Sequence, residues 1–113
     1  MSRIFASLIQ SDFREGGHGN LEAVVHTGGE LRHWFRDPGR GNAWVAAQVV
    51  VASGVTGAGG LIQSDFSGGD HGNFEVIVPI RNTAGSAYLW HYFRDNQDIT
   101  TPWLQGQRVW RST

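Results

Sequence analysis

The chain has 113 residues and a net charge of −1, and it contains no cysteine. These values exclude disulfide bonds and thiolate zinc sites, and they leave room for one modest domain or two small units. All nine basic residues are arginine and lie scattered, so the basic patch of a nucleic-acid-binding protein is missing from the sequence. The first predicted element is a strand over LIQSDF at Leu8–Phe13, followed by a glycine-rich turn that ends in Gly-Asn.

The next predicted elements complete a group of four strands. The second is predicted over Leu21–Val25, the third over Leu31–Asp37 and the fourth over Trp44–Val51. Each is rich in β-branched or aromatic residues and is bounded by Gly, Asn, Asp or Pro, a pattern typical of strands. No window of the chain shows the apolar stripe of an amphipathic helix.

The second half of the chain repeats the first half. LIQSDF recurs letter for letter at Leu61–Phe66, and Leu61 lies 53 positions after Leu8. The predicted strands that follow it cover Phe74–Val78, Leu89–Asp95 and Trp103–Trp110. Length differences between the halves fall in predicted loops, as they do in structural repeats. We therefore divide the chain into repeat 1 over residues 1–53 and repeat 2 over residues 54–113.

Each repeat has the size of a β-propeller blade, since four antiparallel strands in about 50 residues is typical of one. Alternation along the third strand of repeat 2 places Leu89, His91 and Phe93 on one face and Trp90 and Tyr92 on the other. Both faces then carry large aromatic residues, which favours a sheet packed between two other sheets over a sheet with one solvent-exposed face. We predict an all-β protein with two four-stranded propeller blades.

Two blades do not close a propeller, which typically has four to eight. The connection from Val50 to Leu61 has 11 residues, and a path from Val109 through the end of the chain and into a second copy as far as Leu8 has 12. We expect identical chains to continue the ring head to tail, with three chains giving six blades and four giving eight, and we favour the trimer. A single chain closed as an eight-stranded barrel or sandwich is the alternative.

One part of repeat 2 resembles a known blade motif. Gly72–Val78, followed by Leu89–Arg94 and Trp103, looks like the blade of PLL-type bacterial β-propeller lectins, which carry a G-R-L-E-V-F strand, an L-W-H-x-W strand and a tryptophan in the last strand; tectonin-type blades are similar. Repeat 1 departs from the motif, because Arg32 stands at the tryptophan position and Trp34 two places later. The resemblance covers nearly the whole chain. It implies a multivalent, non-catalytic lectin with sites between blades and with fucose-type or O-methylated sugars as ligands.

A sugar site needs a flat apolar surface and groups that bind hydroxyls, which tryptophan and the Arg, Glu and amide side chains supply. The candidate sugar-binding residues are Glu22, His33, Arg36 and Trp44 in repeat 1 and Glu75, Trp90, His91, Arg94 and Trp103 in repeat 2. A structural interpretation competes with this one. In it, the tryptophans are core, the glutamates form ion pairs with Arg36 or Arg94, and the histidines bond to backbone carbonyls.

A second candidate cluster also occurs twice. Its members are Ser11, Asp12, His18 and Asn20 in repeat 1 and Ser64, Asp65, His71 and Asn73 in repeat 2. Because Asp and Asn commonly bond to their own backbone in turns, turn formation is the main interpretation, with contacts to sugar hydroxyls and a metal site as alternatives. The spacing matches no established zinc or calcium pattern, so we predict no bound metal and no cofactor.

We predict a binding protein and not an enzyme, because the sequence has no Gly-x-Ser-x-Gly elbow, no P-loop and no HExxH motif. Glu22 and Glu75 occupy equivalent positions, so we expect like environments for them rather than the split acid–base pair of a glycosidase. The alternative function is a structural or protein-interaction propeller fragment, including an engineered repeat, without a sugar ligand. No apolar run suits a membrane span and the N-terminus does not look like a signal peptide, so we expect a cytoplasmic location or release by another route.

Overall fold

A computed structural model describes residues 4–14, 19–38, 41–66, 71–96 and 102–112. The described residues form eight β-strands and no α-helix, which confirms the all-β prediction. The strands are β1 (Phe5–Arg14), β2 (Gly19–Thr27), β3 (Glu30–Arg36), β4 (Trp44–Ser53), β5 (Leu61–Gln63), β6 (Phe74–Arg81), β7 (Ala87–Arg94) and β8 (Leu104–Arg111). Within these residues there is accordingly no helix with the length and apolarity to cross a bilayer.

The strands form two separate four-stranded sheets, one in the order β1-β2-β3-β4 and the other in the order β5-β6-β7-β8. All pairs are antiparallel, and each strand pairs with the next along the chain, as short connections favour. The registers also correspond, because Ile9 lies opposite Glu22 in the first sheet and Ile62 lies opposite Glu75 in the second. The sequence repeat is therefore a repeat of strand pairing.

Alternation along β7 follows the prediction. Arg94 lies opposite Phe74 and Tyr92 lies opposite Val76 on one face, whereas His91 points to the other face, where it bonds to Glu75. Each sheet therefore has two chemically different faces, for which we use two names. The Glu/His face carries Glu22 and His33 in the first sheet and Glu75 and His91 in the second. The Trp/Arg face carries Arg36 and Trp44 in the first sheet and Arg94 and Trp103 in the second.

The core lies between the two sheets, where the Glu/His face of the first packs against the Trp/Arg face of the second. The first sheet contributes Val24 and Leu31, and the second contributes Leu61, Phe74, Val76, Val78 and Trp103. The most extensive strand contact between the sheets is that of their first strands, β1 and β5. The fourth strand of the second sheet, β8, is exposed along almost its whole length. The sheets are thus closest at their first strands.

Residues 54–60 connect β4 to β5 and are bonded to both sheets. The Val55 amide donates to the carbonyl of Gly29 at 3.1 Å, and the Val55 carbonyl accepts from His26 Nε2 at 3.0 Å. The Thr56 amide donates to the carbonyl of Pro79 in the second sheet at 2.9 Å. The connection therefore fixes the two sheets relative to each other.

We expect Gly59→Ala to lower the free energy of unfolding by about 2 kcal/mol. Gly59 has φ of 66°, and a Cβ there would lie 1.4 Å from the carbonyl oxygen of Ile77. Gly60→Ala is the matched control, because nothing lies within 4 Å of a Cβ at that position, and its effect should stay within about 0.5 kcal/mol. Urea unfolding followed by tryptophan fluorescence measures both changes, and equal losses would contradict the assignment.

Candidate functional site

The first sheet holds a buried serine, glutamate and histidine on its Glu/His face. Ser11 Oγ donates a hydrogen bond to Glu22 Oε2 at 2.7 Å, and His33 Nε2 lies 2.7 Å from Glu22 Oε1. Antiparallel pairing of β2 and β3 brings Glu22 and His33 to the same face of the sheet. All three side chains are buried. Both carboxylate oxygens thus have partners, as a buried carboxylate requires.

The second sheet repeats this set in a more open setting. Ser64 Oγ donates to Glu75 Oε2 at 2.8 Å, and His91 Nε2 lies 2.6 Å from Glu75 Oε1. The side chains of Glu75 and His91 are 17% and 36% exposed, whereas those of Glu22 and His33 are 3% and 4% exposed. The expectation of like environments for the two glutamates is therefore right for their hydrogen bonds and wrong for their burial, because only the first set faces the other sheet.

The histidines do not bond as the structural interpretation expected. His33 and His91 both bond to glutamate carboxylates, so the expectation of bonds to backbone carbonyls is wrong. In each set the carboxylate lies between the hydroxyl and the imidazole. A serine nucleophile needs the imidazole next to its own hydroxyl, so these sets are arranged to hold a carboxylate rather than to deprotonate a serine.

Arg94 of the second sheet faces the buried set of the first. Its guanidinium carbon lies 5.0 Å from the ring centre of Phe74 and 5.8 Å from that of Trp103, and its Nε donates to Asn96 Oδ1 at 2.8 Å. Burial lowers the pKa of the Arg94 guanidinium from its usual value, and the negative charge of Glu22 acts in the opposite direction. Glu22 therefore attracts Arg94 across the boundary, but the ion-pair contacts found for Glu22 and Glu75 among the described residues are with His33 and His91, so the expected ion pairs with Arg36 or Arg94 are not formed there.

Aromatic rings fill the space around this charge pair. The His33 ring lies edge-on to Phe74 at 5.5 Å and edge-on to Trp103 at 6.2 Å. Phe74 and Trp103 stack with their ring centres 6.0 Å apart. Phe13, at the end of β1, meets Phe74 at 5.8 Å. The boundary between the sheets is thus an aromatic layer with a carboxylate and a guanidinium inside it.

The structure divides the nine predicted sugar-binding residues into two groups. The buried group, at the boundary between the sheets, contains Glu22, His33, Arg94 and Trp103. The more accessible group contains Arg36, Trp44, Glu75, Trp90 and His91. The role of both groups in sugar binding stays a prediction.

Arg36 and Trp44 are the counterparts of Arg94 and Trp103, but they lie on the outer face of the first sheet. Arg36 lies directly opposite Trp44 across β3 and β4. The residue two places after Arg36 is Pro38, which has no side-chain acceptor, and within the described residues Arg36 Nε is buried without a hydrogen-bond partner. Repeat 1 thus presents the same pair of side chains with no sheet from this chain stacked on them.

A partly exposed polar cluster lies at the edge of the boundary, and we call it the rim cluster: Asp12, Phe13, Gln63 and His71. The Asp12 amide donates to Gln63 Oε1 at 2.7 Å, and Gln63 Nε2 donates to Asp12 Oδ1 at 2.9 Å. His71 Nδ1 lies 2.8 Å from the same Oδ1, and its ring lies 4.3 Å from that of Phe13. Asp12 and His71 therefore bond to each other across the repeats rather than only within their own turns.

Sequence analysis missed Phe13 and Gln63 as members of this cluster. The identity of LIQSDF in both repeats was the signal that could have found them, because it keeps the same glutamine and phenylalanine at equivalent places. His18, the counterpart of His71, lies outside the described residues. In the part of the chain that the structure describes, no three His, Asp or Glu side chains gather in a way that would hold a metal ion.

No protein-family model, curated protein or solved structure matches this chain. The resemblance to propeller lectins therefore stays a prediction. What the chain does has to be inferred from the geometry of the boundary between its sheets and of the rim cluster beside it.

Proposed function

We propose that this protein is a non-catalytic carbohydrate-binding protein of the β-propeller type, with sugars bound where neighbouring blades meet. In this proposal each four-stranded sheet is one blade, and three chains complete six blades or four chains complete eight. The observation that carries the proposal is the rim cluster, which combines an aromatic ring with exposed polar groups at the junction of two sheets.

The arrangement of the strands supports the propeller. Both sheets are meanders in chain order, which is the topology of a propeller blade. The contact between β1 and β5 is consistent with first strands near a central axis, and the exposure of β8 is consistent with a fourth strand at the outer rim. Large side chains on both faces of each sheet suit blades that have a neighbour on each side.

The chemistry of the rim cluster supports a sugar ligand. Phe13, which is partly exposed and packs against the rings of His71 and Phe74, contributes apolar surface for the C–H groups of a sugar ring. Asp12 and His71 offer a carboxylate and an imidazole, which can accept from and donate to hydroxyls, while Gln63, whose amide bonds to Asp12 and to the Gly72 carbonyl, holds the cluster in place. The buried charge pair and aromatic layer lie directly beneath, since Phe13 contacts Phe74. If such sites are repeated around a ring, several can bind one glycan-coated surface at once, and the overall avidity then greatly exceeds the affinity of a single site.

We expect Asp12→Asn to weaken monosaccharide binding by at least about tenfold, because a hydrogen bond to a charged acceptor is worth about 1.5–3 kcal/mol. Titration of the amide NMR signals with fucose and with O-methylated monosaccharides, up to millimolar concentration, measures the affinity. Glu30→Gln is the matched control, since it also removes one partly exposed carboxylate but lies at the hairpin between β2 and β3. Unchanged affinity in Asp12→Asn would place the sugar elsewhere.

A structural or protein-interaction propeller without a sugar ligand is the second candidate function. The burial of Glu22, His33, Arg94 and Trp103 favours it, because the contacts of these side chains in the chain join the two sheets. The same titration separates the two functions. Absence of any saturable signal at millimolar monosaccharide would favour the structural function.

A further inference from the structure

We infer that the two outer faces of this chain bind each other between copies, so that the Trp/Arg face of the first sheet of one copy packs on the Glu/His face of the second sheet of another. The occupant of each outer face is thus a second copy of the same chain. The inference rests on the propeller assembly proposed above and specifies which surfaces join in it. Its template is the boundary that already exists inside the chain, where these two kinds of face are packed together.

The outer Trp/Arg face has the side chains of a buried one. Leu61 and Trp103 are 4% and 7% exposed at the internal boundary, and their counterparts Leu8 and Trp44 are 60% and 43% exposed on the first sheet. Leu8 and Leu61 occupy the same position in identical six-residue segments. The difference in their exposure therefore comes from the packing of the sheets and not from the local sequence. Large apolar groups collected on one exposed face mark an interaction surface.

The outer Glu/His face shows the same contrast. Val24 is fully buried at the internal boundary, whereas its counterpart Ile77 on the second sheet is 39% exposed. Ile9 packs against the core, whereas its counterpart Ile62 is 57% exposed. The Glu/His face of the second sheet is therefore an exposed apolar surface. The equivalent face of the first sheet is covered by the second sheet.

The charges of the outer faces are complementary. Inside the chain, the guanidinium of Arg94 is attracted by Glu22, which Ser11 and His33 hold in place. On the outer face of the second sheet, Glu75 is held in the same way by Ser64 and His91. Arg36 lies on the outer face of the first sheet, and among the described residues its Nε has no hydrogen-bond partner. Docking of one copy on another would bring Glu75 toward Arg36, so that its negative charge acts on Arg36 as that of Glu22 acts on Arg94 inside the chain.

Docking also completes a second rim cluster. Asp65 and Phe66 repeat Asp12 and Phe13, and both are exposed in the single chain. Gln10 repeats Gln63, and its Nε2 lies 3.3 Å from the Gly19 carbonyl. In the docked pair, Asp65 and Phe66 of one copy meet Gln10 of the next, so each copy contributes residues to a sugar site that a single chain lacks.

Like faces do not fit together in the same way. Two Trp/Arg faces would bring Arg36 of both copies together, and two Glu/His faces would bring together two copies of Glu75, so each symmetric pairing sets like charges against each other. The pairing is therefore head to tail, a heterologous interface that leaves one free face at each end until the ring closes.

The test uses two variants that each block one outer face. Leu8→Arg blocks the face of the first sheet and Ile62→Arg blocks the face of the second, and both positions are more than half exposed in the single chain. Light scattering should give a multiple of the 12.4 kDa chain mass for the unmodified protein and 12.4 kDa for each variant alone. An equimolar mixture of the two variants should give twice that mass and no more, because each supplies the face that the other lacks. Ala84→Arg, in the exposed loop between β6 and β7, is the control that keeps the mass of the unmodified protein.

Three results would overturn the inference. They are an unmodified chain that stays at 12.4 kDa up to millimolar concentration, a blocked variant that associates with itself, and a mixture in which no pair forms. Failure of the proposed function looks different. A protein that assembles as described but binds no monosaccharide refutes sugar binding and leaves the interface intact. A monomer that binds sugar refutes the interface and the ring, and leaves sugar binding intact.

Discussion

Replacing Phe74 with alanine is expected to lower the free energy of unfolding by about 4 kcal/mol, in the middle of the range for a buried phenylalanine. Phe74 is fully buried, and its ring contacts the rings of Phe13, His33 and Trp103 and the guanidinium of Arg94. Its loss leaves a cavity where these groups meet. Urea unfolding followed by tryptophan fluorescence measures the change in the midpoint.

Phe5→Ala is the matched control for this prediction, since it makes the same substitution near the start of β1. The Phe5 side chain is 42% exposed, so much less apolar surface returns to water when it is removed, and the loss should be about 1 kcal/mol. Losses of equal size in the two variants would contradict the assignment of Phe74 as the centre of the boundary between the sheets.

Replacing Glu22 with alanine is expected to cost about 3 kcal/mol, because it leaves a buried guanidinium without its opposite charge. Glu22 also accepts the hydrogen bonds of Ser11 and His33. The substitution therefore leaves the Ser11 hydroxyl and the His33 Nε2 without this hydrogen-bond partner. The free energy of unfolding of Glu22→Ala, Arg94→Met and the double variant, each measured in urea, gives a double-mutant cycle.

The double variant separates a charge effect from a packing effect. We expect its loss to be smaller than the sum of the two single losses by about 1 kcal/mol or more, because removal of Arg94 takes away the uncompensated charge. Strict additivity of the two losses would mean that Glu22 stabilises the protein through Ser11 and His33 alone.

The strands and their grouping could be predicted from the sequence because two local signals agreed. β-branched and aromatic runs bounded by turn residues located the strands, and the repeat at Leu8 and Leu61 fixed which strands correspond. The alternation of His91 and Arg94 on opposite faces of β7 followed from the period of two along a strand. β5 is the exception, with only three residues in Leu61–Gln63, where a strand as long as its counterpart was predicted.

The burial of the candidate site could not be predicted, since it depends on which faces of the two sheets meet. Glu22 and Glu75 occupy equivalent positions in similar strands and bond to the same types of partner, a serine and a histidine, so the strand pattern alone does not separate them. Only the stacking of the sheets does so, by setting Arg94 against Glu22. The same holds for the rim cluster, because the bond between Asp12 and His71 joins residues that are 59 positions apart.

The two-faced sheet has a consequence for how such a protein can arise. A unit whose front fits its own back can be followed by another unit without redesign, so one gene duplication is enough to lengthen the array. In the proposed assembly both units pack against the same kind of neighbour, and the identity of LIQSDF at Leu8–Phe13 and Leu61–Phe66 is consistent with that shared constraint. In that assembly, a substitution that spoiled the fit in one unit would weaken its packing against the adjacent unit.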